Sequence, residues 1–378
     1  MAIIKQITKF LQSFKDRKLK DTVALCENCY RHLPARTFQR EDSIWLSKEC
    51  PEHGYKEYII EKDADFYHKL DYDTHAYDIP AGIMVEVTDK CNLNCPHCYH
   101  EPENKTTDKP IDDILKQIQQ WPDGAGSVIL AGAEPTVRKD LPELISEIKS
   151  LQDQLGRTHQ DISILTNGVK FHDKKWVKQI KDAGCRAVMI GLNHPSYQGE
   201  KVHQKQLQGI RNCKEAGIFV YYVGYTIESY DHLPFVLKEI QELGDTAFQY
   251  RIRAGSDIGR NPDEPRVFLS DNVKEIKELV EQYGWDWEKI PGDDNLYHYM
   301  VNINGITHRI IQWSDAKTLD LEEIRCGPWC DFVPGKPISN FLHQVMLRDY
   351  AINQNRILFD TVPERYTFRT RDQVRKEH

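Results

Sequence analysis

Cys91-Asn92-Leu93-Asn94-Cys95-Pro96-His97-Cys98 sets three thiols at C-x3-C-x2-C spacing directly behind an apolar run, 82–87, that reads as a strand. Three thiolates that close in sequence can hold three irons of a 4Fe–4S cluster and leave the fourth iron open. Zinc is the alternative, and it needs a fourth ligand, for which His97 or His100 is at hand. Position adds to spacing here. A loop at the C-terminal end of a strand is where α/β sheets build their ligand sites.

Outward from this loop the chain alternates. Strand patterns at 82–87, 127–131, 162–166, 187–192, 219–226 and 248–253 enclose helical patterns at 111–121, 141–151, 173–183, 201–216 and 232–243. Another helix is expected at 271–283. Six such repeats make a parallel α/β sheet with right-handed crossovers. Periodicity alone leaves a doubly wound sheet and a partial barrel both open. Beyond the repeats, 297–303 and 306–313 flank Asn304-Gly305, a two-residue hairpin signal, because both turn positions need positive φ. An apolar-periodic segment follows at 338–352.

The loop Cys91 to Cys98, with Tyr99 after it, resembles the cluster loop of the radical S-adenosylmethionine (SAM) superfamily. Ala131-Gly132-Ala133-Glu134-Pro135-Thr136, at the end of the second strand, is similar to that family's Gly-Gly-Glu-Pro stretch, with Ala131 in place of the first glycine. Thr166-Asn167-Gly168 and Gly191-Leu192-Asn193 follow the third and fourth strands. The resemblance, over about residues 82–255, implies a partial (β/α)6 TIM-like barrel holding a 4Fe–4S cluster on Cys91, Cys95 and Cys98. It implies a SAM site drawn from His97, Gly132, Ala133, Glu134, Thr166, Asn167, Asn193 and Arg251, with Glu134 and nearby backbone receiving the methionine ammonium. It also implies the chemistry: an electron from a donor such as a flavodoxin or ferredoxin cleaves SAM. The resulting 5′-deoxyadenosyl radical takes hydrogen from an unactivated carbon.

Ahead of the repeats, Cys26-Glu27-Asn28-Cys29 and Cys50-Pro51-Glu52-His53-Gly54 make a C-x2-C…C-x2-H set suited to tetrahedral zinc, with rubredoxin-like iron as the alternative. A metal would stabilise an island of about fifty residues too small for a sufficient core. This ribbon beside a radical SAM core resembles the branch of archaeal dihydropterin methyltransferase-like Fe–S oxidoreductases and tetraether lipid synthases. Larger relatives in that branch carry more cysteines between ribbon and cluster loop, whereas 64–90 here contain none. The expected organisation is an amphipathic helix at 1–20, a zinc-ribbon or rubredoxin-like module at 21–75, the barrel at 76–290, and a hairpin-plus-helix extension at 291–378 covering the barrel.

Lys+Arg 50 against Asp+Glu 58 gives a net charge of −8, which disfavours a nucleic-acid partner. No apolar run approaches the ~18 residues of a membrane span. No secretory signal is apparent, and six of the ten cysteines lie in two tight groups, so metal ligation in a reducing cytoplasm is expected. Ile3, Ile4, Ile7, Phe10, Leu11 and Phe14 recur at helical spacing among lysines. That helix suits packing on its own domain or a twin subunit, and a second reading lays residues 3–20 on a membrane surface, for a lipid substrate.

Four features stay open at this level. Cys326 and Cys330 form half a metal site, and with Cys185 and Cys213, expected on barrel helices, they number enough for an auxiliary cluster. Arg251 and Arg253 point the same way along the sixth strand, toward a carboxylate or phosphate of SAM or substrate, or toward a barrel-floor ion pair. The hairpin's Tyr297, His298, Tyr299, His308 and Trp313 suit either a lid over the barrel or core packing. The expected activity is hydrogen abstraction from a small-molecule or lipid substrate, leading to C–C bond formation or methyl transfer. RNA or peptide modification and a non-enzymatic Fe–S or zinc scaffold are the competing readings.

Overall fold

Beside a two-stranded antiparallel pair of Leu358–Phe359 and Phe368–Arg369, alternation of buried and exposed side chains builds two large sheets in the computed structural model. It describes residues 16–26, 28, 32–70, 83–98, 102, 108–119, 127–255, 267–290, 298–312, 317, 358–359 and 368–369. The first sheet is an antiparallel meander of β1 (Arg17–Leu25), β2 (His32–Arg40), β3 (Ser43–Cys50) and β4 (Gly54–Glu61). Its small core gathers Ala24, Ala35, Ile44, Leu46 and Ile60 with Ala64 and Tyr67 of the short helix α1 (Ala64–Lys69). The helix expected over the first twenty residues is corrected at its end: residues 17–20 are strand, with Arg17 opposite Gln39 and Lys20 opposite Thr37. A ladder of inter-strand bonds outweighs the weak local helical preference of a few residues. Residues 1–15 lie outside the described residues.

The second sheet carries the six expected parallel strands: β5 (Ile83–Thr88), β6 (Ser127–Gly132), β7 (Asp161–Thr166), β8 (Cys185–Gly191), β9 (Phe219–Ile227) and β10 (Gln249–Ala254). Between them run α2 (Ile111–Gln119), α3 (Leu141–Gln154), α4 (Lys174–Ala183), α5 (Glu200–Glu215) and α6 (Leu233–Leu243), with α7 (Leu269–Gln282) after β10. Strand order follows chain order without a switch. The helices bury their apolar faces in one cluster against one side of the sheet, through Val85, Leu130, Ile164, Val188, Val223 and Ile252. A doubly wound sheet needs an order reversal and helices on both faces. This is therefore the partial barrel, and it does not close.

The hairpin forms as expected, with Asn304 at φ 50° and Gly305 at φ 82°, but it does not lid the barrel. Its strands β12 (His298–Ile303) and β13 (Ile306–Ile311), with the short β11 (Trp287–Lys289) preceding them, extend the sheet: β13 runs parallel beside β10. The edge of β10 would otherwise leave a row of backbone donors and acceptors without ladder partners. Tyr299 packs on Phe66 at 5.7 Å between ring centres. Tyr297, Trp313 and the segment 338–352 lie outside the described residues.

His308 is fully buried on β13, and desolvation brings its imidazole down to about 3. The unfolded chain protonates this ring near 6.5. Unfolding therefore takes up a proton between those values, and stability falls as pH drops from about 6.5 toward about 3. His308→Phe is expected to flatten this part of the stability-versus-pH curve, as followed by urea unfolding at several pH values.

Glu61, at the end of β4, joins the two sheets. Its buried carboxylate accepts from the Ser270 hydroxyl and backbone N–H at the start of α7, while Lys62 pairs with Asp271. Gln312 adds a third tie: its Nε2 donates to Ile60 O of β4 at 3.4 Å, while its Oε1 accepts from Leu269 N at 2.7 Å. A carboxylate at a helix N-terminus meets unsatisfied N–H groups and the positive end of the dipole.

Candidate active site

The C-terminal ends of β6 and β7 are locked together by Glu134. It is fully buried, and its two oxygens accept four hydrogen bonds. Thr136 N (3.0 Å), Thr136 Oγ1 (2.5 Å) and Thr166 Oγ1 (2.7 Å) meet one oxygen, and Asn167 N (2.6 Å) meets the other. Burial pushes its carboxyl up, and these donors pull it back toward the charged form. Three of the four donors thus crowd one oxygen, and the other takes a single backbone N–H. Gly132 just ahead has φ +117°, and a Cβ there would stand 2.3 Å from Thr88 O. Only glycine fits a backbone that close. Ala133 N, next in line, donates to Thr88 O at 2.9 Å, which ties this turn to the end of β5.

The cluster loop is held from two sides. On one, Asn167 Nδ2 donates to Asn92 Oδ1 at 2.7 Å and lies 3.9 Å from Cys91 Sγ, while its carbonyl accepts from Gln206. On the other, Asn193 reaches His97, and the donor inventory fixes how. Thr226 N donates to Asn193 Oδ1 at 2.9 Å, so Nδ2 is the group 3.0 Å from His97 Nε2. His97 Nε2 must then accept, which leaves its proton on Nδ1, 3.4 Å from Glu228 Oε1. The His97 ring also packs against Tyr197 at 4.8 Å. Behind Asn193, its carbonyl accepts from His203 Nδ1 (3.0 Å), whose Nε2 meets Glu239 (2.6 Å), itself an acceptor for Tyr225 Oη (2.8 Å).

Cys91, Cys95 and Cys98 are all partly exposed in this loop. Desolvation pushes the Cys91 thiol up to about 11, against a hydrogen bond from Leu93 N. Iron binding would reverse that shift, because a coordinated thiol is deprotonated outright. The donor set, three accessible thiols on a loop braced at both sides, fits a three-cysteine cluster.

The ribbon supplies a different centre. Cys26 Sγ and Cys50 Sγ lie 3.5 and 3.4 Å from His53 Nδ1, and the three ligand atoms fall within 4.8 Å of one another. Tetrahedral zinc at ordinary bond lengths would separate sulfur from nitrogen by about 3.6 Å. Desolvation opposes ionisation of Cys50, but hydrogen bonds from the backbone of Glu52 and His53, and from the His53 and Cys26 side chains, bring its thiol down to about 6. Such a thiol is ionised at neutral pH, as zinc requires. Cys29, the fourth expected ligand, lies outside the described residues.

Other expectations move. Cys185 is not on a helix but opens β8, and Cys213 lies on α5. Both are in the core, and desolvation pushes the Cys185 thiol up to about 12 and Cys213 higher still. They act as small buried hydrophobes rather than ligands. Cys326, Cys330 and His100 lie outside the described residues. Arg251 stands deep on the sheet face opposite the helices, stacked 3.7 Å over the Tyr222 ring. Glu228, Tyr197, His203 and Glu239 are contacts that sequence reading missed. Glu228 carried a usable signal, a carboxylate just past a strand end, whereas His203 and Glu239 meet only by helix packing.

Residues 85–247 match the Radical SAM superfamily, and residues 18–62 match the HMPTM N-terminal zinc ribbon domain. The chain thus carries a radical SAM domain, the domain of enzymes that use a 4Fe–4S cluster and SAM, behind a zinc ribbon. Among its relatives is the 7,8-dihydro-6-hydroxymethylpterin dimethyltransferase of Methanocaldococcus jannaschii, 30% identical over 237 residues, which are 52% of this chain and 45% of that protein. A probable GTP 3′,8-cyclase of Methanococcus aeolicus is 29% identical over 168 residues, 42% of this chain and 53% of the other. The chain spans about half the length of these curated relatives. Among solved structures, Streptococcus suis SuiB bound to S-adenosylmethionine has a TM-score of 0.42 and 14% identity, covering 64% of this chain and 49% of that one.

Proposed function

We propose that the chain is a radical SAM enzyme that abstracts hydrogen from a small-molecule substrate in a methyl-transfer or C–C bond-forming reaction. The observation that carries this is the thiol triplet at the end of β5, tied through Asn167 and Asn193 to the ends of β7 and β8. When bound, the cluster supplies the electron that cleaves SAM into methionine and the hydrogen-abstracting 5′-deoxyadenosyl radical.

The residues position and exclude. Cys91, Cys95 and Cys98 hold the cluster. With the Glu134 side chain fully buried and held by four donors, the SAM ammonium falls to backbone carbonyls beside Gly132 and Ala133, and Glu134 orients them. This modifies the expected role of Glu134 from direct partner to orienter. Thr166, Asn167, Asn193 and His97 line the same strand ends, where a ribose and adenine would lie. An external one-electron donor of the flavodoxin or ferredoxin kind completes the reaction. Among the described residues no helix is long and apolar enough to cross a membrane. A pterin-like or nucleotide-like substrate is favoured over a lipid, because the relatives that match the chain include a dihydropterin dimethyltransferase and a probable GTP cyclase.

Anaerobic reconstitution with iron and sulfide, then dithionite and SAM, tests this reading. About four irons per chain with 5′-deoxyadenosine formed supports it. An intact cluster that neither binds nor cleaves SAM would leave the scaffold reading instead. The ribbon makes a separate prediction. Cys50→Ala should drop zinc from about one per chain toward none and lower the melting temperature, while iron content and SAM cleavage persist. Loss of the iron cluster alone in that variant would contradict the division of labour.

A further inference from the structure

Helix α5 turns a slanting polar row toward the ends of the strands. His203, Gln206, Gly209 and Asn212 recur every three residues, and all four are buried. Leu207, Ile210 and Cys213 alongside supply the apolar packing. Buried polar groups on such a helix are costly unless partnered, and here each one meets backbone. His203 Nδ1 donates to Asn193 O at 3.0 Å. Gln206 Nε2 donates to Asn167 O at 2.7 Å and to Gly191 O at 3.0 Å, which uses both hydrogens of its amide. Gly209 lies against Gly168, where a Cβ would stand 2.5 Å from Gly168 O. Asn212 Nδ2 donates to Phe171 O and His172 O at 3.0 and 2.9 Å, behind that turn.

The row reaches the two turns whose side chains grip the cluster loop. Asn167 has all its polar groups engaged: its N–H on Glu134, its carbonyl on Gln206, its Oδ1 on Val169 N and its Nδ2 on Asn92. Asn193 is held in the same manner, its carbonyl by His203, its Oδ1 by Thr226 N and its Nδ2 against His97. In each asparagine the backbone carbonyl is bound to α5 or its neighbour turn, and the side chain to the cluster loop. The ladder between β7 and β8 ends at the pair Thr166 and Ile190. Gln206 touches both turns at once and carries the tie between the strands past that last pair.

We infer that Gln206 is a positioning residue for SAM: it spaces the turns at the ends of β7 and β8, while His203 and the close approach at Gly209 hold α5 in place. This rests on the radical SAM reading for the identity of the ligand that those turns receive.

The test is calorimetric titration of the anaerobically reconstituted full chain with SAM, with iron content, melting temperature and 5′-deoxyadenosine kinetics read on the same samples. Gln206→Met keeps the volume and removes both donors. It should weaken SAM binding and raise KM for SAM about tenfold, with iron content unchanged. Gly209→Ala keeps every donor and improves helix propensity, yet it should weaken SAM binding severalfold, because α5 must back away from Gly168 O. At His203 two substitutions separate positioning from packing. His203→Asn places an NH2 group where Nδ1 stands, and His203→Gln places it where Nε2 stands. Both should lower the melting temperature, and only His203→Gln should also weaken SAM binding. Asn212→Ala, which loosens the backbone at 171–172 rather than a strand-end turn, should lower the melting temperature with SAM affinity unchanged. Unchanged SAM affinity in Gln206→Met, or a loss of affinity that merely tracks melting temperature across the series, would overturn the assignment. A wild-type chain that binds SAM without cleaving it, with the variants ranked as above, upholds the positioning role and sinks the enzyme class. Wild-type cleavage with normal SAM binding by Gln206→Met does the reverse, and a wild-type chain that binds no SAM overturns both.

Discussion

Cys95→Ala is expected to abolish cluster uptake and 5′-deoxyadenosine formation together. Cys95 is the middle thiol of the triplet, and its carbonyl accepts from Cys98 N at 3.3 Å, so it also shapes the turn that presents the third thiol. Losing an outer-shell partner of a metal costs roughly 10–100-fold, and losing a ligand costs more, so SAM cleavage should fall about a thousandfold or further. Iron and sulfide counts on the same sample read out the cause. Cys213→Ala, on the buried face of α5, should keep both iron and cleavage. A Cys95→Ala protein that still cleaved SAM at an appreciable rate would sink the assignment of this loop.

Glu134→Gln should be nearly as damaging, by a different route. The substitution is isosteric, yet it replaces an acceptor oxygen with an NH2 group. Three donors meet Oε1 and the Asn167 N–H meets Oε2, so either amide orientation sets a donor against a donor in a fully buried place. Leaving such groups buried and unmatched costs about 2–4 kcal/mol. Part of that should appear as lower thermal stability. The rest should appear as weaker SAM binding, by about tenfold to a hundredfold, because the ends of β6 and β7 and the Asn167 tie to the cluster loop shift together. Iron content should hold, since no cysteine is touched. A variant with unchanged SAM affinity would show that this bracket does not position the cofactor.

Strand and helix periodicity carried most of the fold, because each barrel repeat buries one strand face and one helix stripe. The thiol triplet, Gly132 and the Thr166-Asn167-Gly168 and Gly191-Leu192-Asn193 turns were legible for a related reason: they sit at strand ends, which the pattern locates to within a residue or two. The hairpin turn was legible because positive φ at two successive positions leaves Asn-Gly as a preferred pair. Residues 17–20 were misread because a few residues at helical spacing give a weak signal that a β-partner overrides.

By itself the sequence determined the repeat order, the turn at Asn304-Gly305, the metal-ligand spacing and the position of the thiol triplet behind β5, since all of these are set within short stretches of chain. Only the tertiary structure decided three further matters. Helices all on one face, with no strand-order switch, made the sheet a partial barrel rather than a doubly wound one. The free edge of β10 drew the hairpin into the sheet and brought Arg309 beside Arg251. The four donors around Glu134 join the ends of β6 and β7, because such a bracket depends on residues from separate strand ends meeting in one buried place.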